Sequence, residues 1–175
     1  PDDFDDFWAA QKGALAEMPL TFTATPRPLA DADDAGLEAV DLTVAAERNG
    51  APVRGYFAKP KNAAAKSLPA VLWVHGAGVR SASLPTALAG ARDGFLSLDI
   101  NAHGIDNGKP DEYYKDLSAG KLKTYRTDGN SGRETSYFRG MFVRLVRAID
   151  FLTTRPEWDG KTVAVIGHSQ GGLQA

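Results

Sequence analysis

The sequence of 175 residues contains no cysteine, which excludes disulfide bonds and thiolate metal sites. It also lacks an apolar run of the length that a membrane span requires, so no membrane partner is expected. The charges almost balance, with 20 Lys and Arg against 22 Asp and Glu. This balance argues against nucleic acid or an anionic membrane surface as the main partner.

No signal peptide is visible, but Pro1 is not a natural start. The sequence therefore fits either a cytoplasmic soluble protein or one exported after removal of a signal. The composition is 43% hydrophobic and 24% charged, which is ordinary for a globular protein. The length suffices for one domain with a sizeable core.

The most informative stretch lies at the C-terminal end of the sequence. A short apolar, β-branched run at residues 163–166 is followed by Gly167-His168-Ser169-Gln170-Gly171. A strand, then Gly-x-Ser-x-Gly, then the start of a helix is the nucleophile-elbow pattern, in which a very tight turn exposes the serine hydroxyl. The pattern predicts Ser169 as a nucleophile, and the alternative is a tight turn without chemistry.

A second motif follows another buried-type strand at residues 69–74. It reads His75-Gly76-Ala77-Gly78 and lacks the spacing of a dinucleotide or Walker phosphate loop. Small residues let such a backbone approach a substrate, so the loop is a candidate source of an oxyanion N–H group. The alternative is a simple glycine-rich turn.

The remaining patterns alternate between strand and helix. They predict helices at residues 4–19, 83–92 and 137–154, strands at 37–48, 53–58 and 95–100, and a hairpin turn at Asn49-Gly50. Residues 20–36 are expected to form an extended connection. The order predicts an α/β fold whose sheet is mostly parallel, with helices on both faces and an antiparallel N-terminal hairpin.

Residues 101–136 form a long polar segment that follows a predicted strand. Asn101 and His103 stand at the carboxyl end of that strand, where α/β sheets place binding residues. Because structureless loops of this length are usually functional, we expect an excursion over the active-site mouth, with a short helix at residues 111–119. Its tyrosines either stack on sugar faces or anchor the loop; they are Tyr113, Tyr114 and Tyr125.

Taken together, the chain resembles the acetyl xylan esterase and cephalosporin C deacetylase family, carbohydrate esterase family seven, of the α/β-hydrolases. The likeness spans nearly the whole chain. It rests on Asp5-Asp6-Phe7-Trp8, Val53-Arg54-Gly55-Tyr56, residues 69–78, Tyr137-Phe138-Arg139-Gly140, Arg155-Pro156-Glu157 and residues 167–172. The chain departs from the family at Ala77, where the family usually has Tyr, at residues 101–104, where it usually has Arg-Gly-Gln, and at His168, where it usually has Gly.

The resemblance implies a serine ester hydrolase that removes acetyl groups from acylated sugars or similar small esters. Ser169 would be the nucleophile, and the backbone N–H groups of Gln170 and Ala77 would form the oxyanion hole. His75, Gly76, Asn101, His103 and His168 would touch the substrate or support the loops. The resemblance implies neither a metal nor an organic cofactor, and many family members are homo-oligomers.

A serine hydroxyl needs a general base, and in α/β-hydrolases the acidic residue and the histidine follow the serine in the chain. Only six residues follow Ser169, so the triad Asp and His are expected outside this chain. We therefore expect residues 1–175 to be the N-terminal part of a single hydrolase domain, with an outer helix at residues 1–19, truncated after the elbow and inactive alone. Two alternatives stay open: an α/β-hydrolase for another acyl substrate, such as a peptidase, and a non-catalytic binding module.

Overall fold

The computed structural model describes residues 2–48 and 50–175. Within them, six strands form a sheet with the spatial order β1-β2-β3-β5-β4-β6. The strands are β1 (Phe22–Pro26), β2 (Leu37–Val44), β3 (Val53–Pro60), β4 (Leu68–Val74), β5 (Leu96–Ile100) and β6 (Trp158–Gly167). The helices are α1 (Phe4–Ala16), α2 (Leu84–Arg92), α3 (Asp111–Ala119), α4 (Tyr137–Thr153) and α5 (Gln170–Gln174), and a 3-10 turn spans Ala32–Asp34.

The sheet is mixed. Strand β4 pairs in parallel with both β5 and β6, whereas the β1–β2, β2–β3 and β3–β5 pairs are antiparallel. The parallel strands carry the two loops predicted to hold the chemistry, and their carboxyl ends lie at one edge of the sheet. The α/β class and the antiparallel N-terminal hairpin are confirmed. The sheet, predicted to be mostly parallel, is mixed among the described residues, because β1 and the hairpin contribute three antiparallel pairs beside the two parallel ones.

Strand β1 was not expected, because residues 20–36 were interpreted as an extended connection. All five of its residues are exposed, and the apolar–polar alternation at residues 22–26 is short and ends at Pro26, so it is difficult to distinguish from an extended connection. Its order comes from main-chain pairing with β2, which runs from Phe22 opposite Val44 to Pro26 opposite Val40. The Phe22 ring also packs edge to face on Phe151, with centroids 5.2 Å apart. In the predicted Asn49-Gly50 turn between β2 and β3, Asn49 lies outside the described residues.

The two faces of the sheet are covered by different helices, as predicted. Helix α4 packs on a large core that includes Leu42, Leu72 and Leu98 of the sheet and Leu145, Ala148 and Phe151 of the helix. On the opposite face, α2 places Ala87, Leu88 and Ala91 against Leu37, Ala39, Tyr56 and Ala58. Burial of these apolar side chains is the main stabilising contribution to the fold.

Helix α1 lies outside this core and packs against α4. The Trp8 ring meets the Phe142 ring edge to face, with centroids 5.5 Å apart. The buried guanidinium of Arg147 donates hydrogen bonds to the Leu15 and Met18 carbonyls at 2.9 and 3.2 Å, and so holds the end of α1. Among the described residues, no helix combines the length and the apolarity needed to cross a bilayer.

Candidate active site

Ser169 lies at the turn between β6 and α5, and its side chain is exposed. Its backbone has φ 53° and ψ −119°, a conformation that residues with a side chain rarely adopt. Such a backbone costs roughly 1–3 kcal/mol and persists only where the surroundings enforce it. The geometry is that of the predicted elbow, with a strained serine presented at the carboxyl edge of the sheet.

The two glycines of the motif are required because backbone segments approach very closely. A Cβ atom on Gly167 would lie 2.1 Å from the Gly171 carbonyl oxygen. A Cβ atom on Gly171 would lie 2.1 Å from the carbonyl oxygen of Val74 in β4. The first turn of α5 therefore rests directly on β6 and β4, and this contact fixes the position of Ser169 between them.

The loop that follows β4, residues 75–83, lies against the elbow. A Cβ atom on Gly76 would be 3.2 Å from the His168 carbonyl oxygen and 3.6 Å from the Ser169 Cβ atom. Ala77 follows directly, so the predicted oxyanion donor is part of the loop that faces the serine. The structure thus brings together the two motifs that the sequence places about 90 residues apart.

His75 braces this loop from inside. Its Nε2 atom accepts a hydrogen bond from the Ala102 N–H at 3.1 Å, so in the neutral ring Nδ1 donates to the Gly76 carbonyl oxygen at 2.6 Å. Burial lowers the pKa of His75 and favours this neutral form. Of the two roles expected for His75, the contacts support that of loop support.

His103 is buried and also bonded through both ring nitrogens. Its Nε2 atom donates to the Gly78 carbonyl oxygen at 3.3 Å, and Nδ1 accepts from the Tyr137 hydroxyl at 2.9 Å. Burial lowers the pKa of His103 to about 4, so the ring is neutral at pH 7. His103 thus ties the segment after β5 to the loop after β4.

Asn101 is fully buried and organises its own loop. Its side-chain Nδ2 donates to the Ile105 carbonyl oxygen and to Asn107 Oδ1, both at 2.8 Å, and its Oδ1 accepts from the Ile105 N–H. His168, in contrast, is exposed and lines an open cavity of about 330 Å³ beside β6. Asn101 therefore supports a loop, and His168 is the most exposed of the three histidines.

Two further residues that hold the 75–83 loop were not anticipated. Asp99 Oδ1 accepts from the Ser83 N–H at 2.8 Å, and Asn107 Oδ1 accepts from the Ala82 N–H at 3.0 Å. A third bond runs from the Gly108 N–H to Ser81 Oγ at 3.0 Å. An aspartate inside a buried strand was the signal available in the sequence, since a buried carboxyl group requires a partner.

Asp99 gives a testable pH dependence. Burial raises its pKa from 3.8 to about 7, although the Ser83 N–H opposes the rise. Because the folded chain keeps this proton to about pH 7 and the unfolded chain loses it near pH 4, this group makes the free energy of unfolding fall as the pH rises between those values. Asp99→Asn keeps an acceptor for Ser83, so it should remove this slope and raise stability at pH 8 by a few kcal/mol.

Urea unfolding of the full-length protein at pH 5 and pH 8 measures this effect. Asp34→Asn is the control, because Asp34 is equally buried but paired with Arg92 at 2.8 Å, and its loss should lower stability at pH 8. An Asp99→Asn variant with the wild-type slope would contradict the assignment.

Gln170, the other predicted oxyanion donor, is the first residue of α5 and is buried. Its side chain points inward, where Oε1 accepts a hydrogen bond from the Tyr125 hydroxyl at 2.9 Å and Nε2 lies 3.7 Å from Met141 Sδ. Tyr125 and Tyr114 are both buried and bonded through their hydroxyl groups. These two tyrosines anchor the 101–136 segment and are not free to stack on a sugar.

Among the described residues, no hydrogen bond joins a histidine nitrogen to the Ser169 hydroxyl. His75 and His103 already use both ring nitrogens. In residues 2–48 and 50–175, no group of three or more His, Cys, Asp or Glu side chains is placed to hold a metal ion.

Comparison with known proteins shows the family of the chain. The family model described as acetyl xylan esterase (AXE1) matches residues 1–175. The chain belongs to the acetyl xylan esterase family. A relative, acetyl esterase Axe7A of Xylanibacter ruminicola, is 34% identical over 98% of the chain.

Two solved members of the acetyl xylan esterase family share the fold. The acetyl xylan esterase from Paenibacillus sp. R4 superposes with a TM-score of 0.78 at 24% identity over 100% of the chain. Acetyl xylan esterase 1 from Thermoanaerobacterium sp. JW/SL YS485 gives 0.71 at 21% identity over 99%. The chain spans 39% of the length of the Xylanibacter relative and 54% and 53% of the two solved structures.

Proposed function

We propose that the full-length protein hydrolyses acetyl esters of carbohydrates, with Ser169 as the nucleophile. The observation that carries this proposal is the exposed Ser169, which sits in a strained backbone and faces the glycine-rich loop after β4. Membership of the acetyl xylan esterase family supports the acetyl group and the carbohydrate as the two halves of the substrate.

In the proposed reaction, Ser169 Oγ attacks the acetyl carbonyl carbon and gives its proton to a general base. The N–H groups of Gln170 and Ala77 bind the negative oxygen of the tetrahedral intermediate. Collapse of this intermediate breaks the ester bond, and the sugar hydroxyl leaves with the proton from the base. Water then attacks the acetyl-serine, again assisted by the base, and releases acetate.

We place the general base and its carboxylate partner outside residues 1–175. His75 and His103 use their ring nitrogens to hold loops, and a base must reach the serine proton. The 175-residue chain alone is accordingly expected to release no acetate from an aryl acetate, a result that a spectrophotometric assay checks.

A homo-oligomer also stays a prediction, which sedimentation of the full-length protein tests.

The substrate class is tested with purified full-length protein and three substrates: an acetylated xylo-oligosaccharide, its butyryl analogue and an aminoacyl p-nitroanilide. We expect acetate release to exceed butyrate release and the anilide to stay intact. Cleavage of the anilide without acetate release would favour a peptidase. Tight binding of the acetylated oligosaccharide without turnover would favour a binding module.

A further inference from the structure

Tyr125 is held rigidly beneath the candidate active site. It is 3% exposed and packs in a small core with Ala102, Leu122 and Met141. The His103 ring meets it edge to face, with centroids 4.6 Å apart, and the Tyr137 ring centroid lies 5.6 Å away. Because rings on two sides restrict it, the Tyr125 hydroxyl occupies a fixed point although its segment is long.

That hydroxyl connects the two motifs of the site. It donates to Gln170 Oε1 at 2.9 Å and accepts from the Gly78 N–H at 3.3 Å. Gln170 directly follows Ser169, and Gly78 directly follows Ala77. A single oxygen atom therefore joins the residue after the nucleophile to the residue after the second oxyanion donor.

We infer that Tyr125 is a positioning residue that sets the separation of the two oxyanion donors. The inference rests on the proposed function, because it assigns these donors to Gln170 and Ala77. The two N–H groups belong to separate loops, after β6 and after β4, and an oxyanion requires both within about 2.7–3.1 Å. The Tyr125 bridge holds those loops in register.

The chain provides a matched control in Tyr114. Its hydroxyl also donates to a carbonyl oxygen, that of Asp106 at 2.9 Å, and accepts from a backbone N–H, that of Lys109 at 3.1 Å. Tyr114 is 8% exposed and belongs to the same segment. Both of its partners lie within that segment. Loss of this hydroxyl therefore removes one donated and one accepted hydrogen bond, as in Tyr125→Phe, but breaks no bond to the elbow.

The experiment compares Tyr125→Phe with Tyr114→Phe in the full-length protein. Tyr125→Phe should lower kcat for acetate release about tenfold with KM within twofold, since only transition-state interactions are weakened. Affinity for a boronic acid, which forms a tetrahedral adduct on serine, should fall by a similar factor. Tyr114→Phe should lower the melting temperature by a similar amount and leave kcat and boronate affinity unchanged.

A second variant, Gln170→Met, removes the acceptor of the same hydrogen bond and keeps the backbone N–H. It should reproduce the kcat loss, and the double variant with Tyr125→Phe should lose little more, since both changes break one bond. Gln170→Met decides the question if Tyr125→Phe does not fold.

Equal kcat in Tyr125→Phe and Tyr114→Phe, or an additive double variant, would overturn the inference. That failure is distinct from failure of the proposed function. If Ser169→Ala abolishes turnover while Tyr125→Phe does not lower it, the nucleophile assignment stands and only the positioning role is lost.

Discussion

Replacing Ser169 by alanine is expected to lower kcat for acetate release by about four to six orders of magnitude. The change removes the only atom that forms a bond to the acetyl carbon in the proposed reaction. KM should change little, because the oxyanion donors and the substrate-binding surface remain. The measurement is acetate release by the full-length protein under saturating substrate.

Two controls separate lost chemistry from lost structure. Ser67→Ala removes an exposed hydroxyl that bonds the Ala64 carbonyl oxygen, far along the chain from the elbow, and should leave kcat unchanged. Ser169→Gly should be as inactive as Ser169→Ala and yet more stable than the wild type by about 1 kcal/mol, because glycine tolerates a positive φ. Substantial turnover by either Ser169 variant would refute the nucleophile assignment.

Replacing Gly171 by alanine is expected to destabilise the protein by about 3 kcal/mol or more. The added Cβ atom would lie 2.1 Å from the Val74 carbonyl oxygen and 2.8 Å from that of His75. Both atoms belong to the main chain at the end of β4, which is paired with β5 on one side and β6 on the other, so neither moves aside cheaply. Thermal unfolding of the full-length protein gives the measurement, as a large fall in melting temperature or a loss of soluble protein.

Gly172→Ala is the matched control for this prediction. It lies one residue further along α5, and its Cβ atom would have its nearest contact at 3.5 Å, from the Gly167 carbonyl oxygen. Alanine is also the better helix former, by about 1 kcal/mol, so this variant should be as stable as the wild type or more so. Similar melting temperatures for the two variants would contradict the tight elbow packing.

Much of the fold could be predicted from the sequence because its signals are local. The buried strands carry continuous apolar runs, α4 repeats its apolar residues every three or four positions, and Ser83 caps α2 by accepting from the Thr86 N–H. Strand β1 could not be predicted in the same way. Its side chains are exposed, and its order depends on partners distant in the sequence, namely the main chain of β2 and the ring of Phe151.

The candidate site likewise combines features that local sequence signals predict with contacts between distant residues that they do not predict. Glycines at fixed offsets from Ser169 indicated the tight turn. Only glycine fits at these two positions, because an added Cβ atom would lie 2.1 Å from a backbone carbonyl oxygen. The hydrogen bonds that tie the loops together could not be predicted from the sequence. They depend on how the 36 residues 101–136 fold back against the loop after β4 and the elbow. Tyr125 and Gln170 are 45 residues apart, and no spacing rule brings them into contact.

The activation of Ser169 as a nucleophile is tested most directly by covalent labelling. Full-length protein is treated with a fluorophosphonate and digested, and the modified peptide is identified by mass spectrometry. We expect one phosphonyl group per active chain, carried by Ser169, and we expect the label to accumulate at the same rate as acetate release declines. A protein that releases acetate but carries no label at Ser169 after full reaction would contradict it.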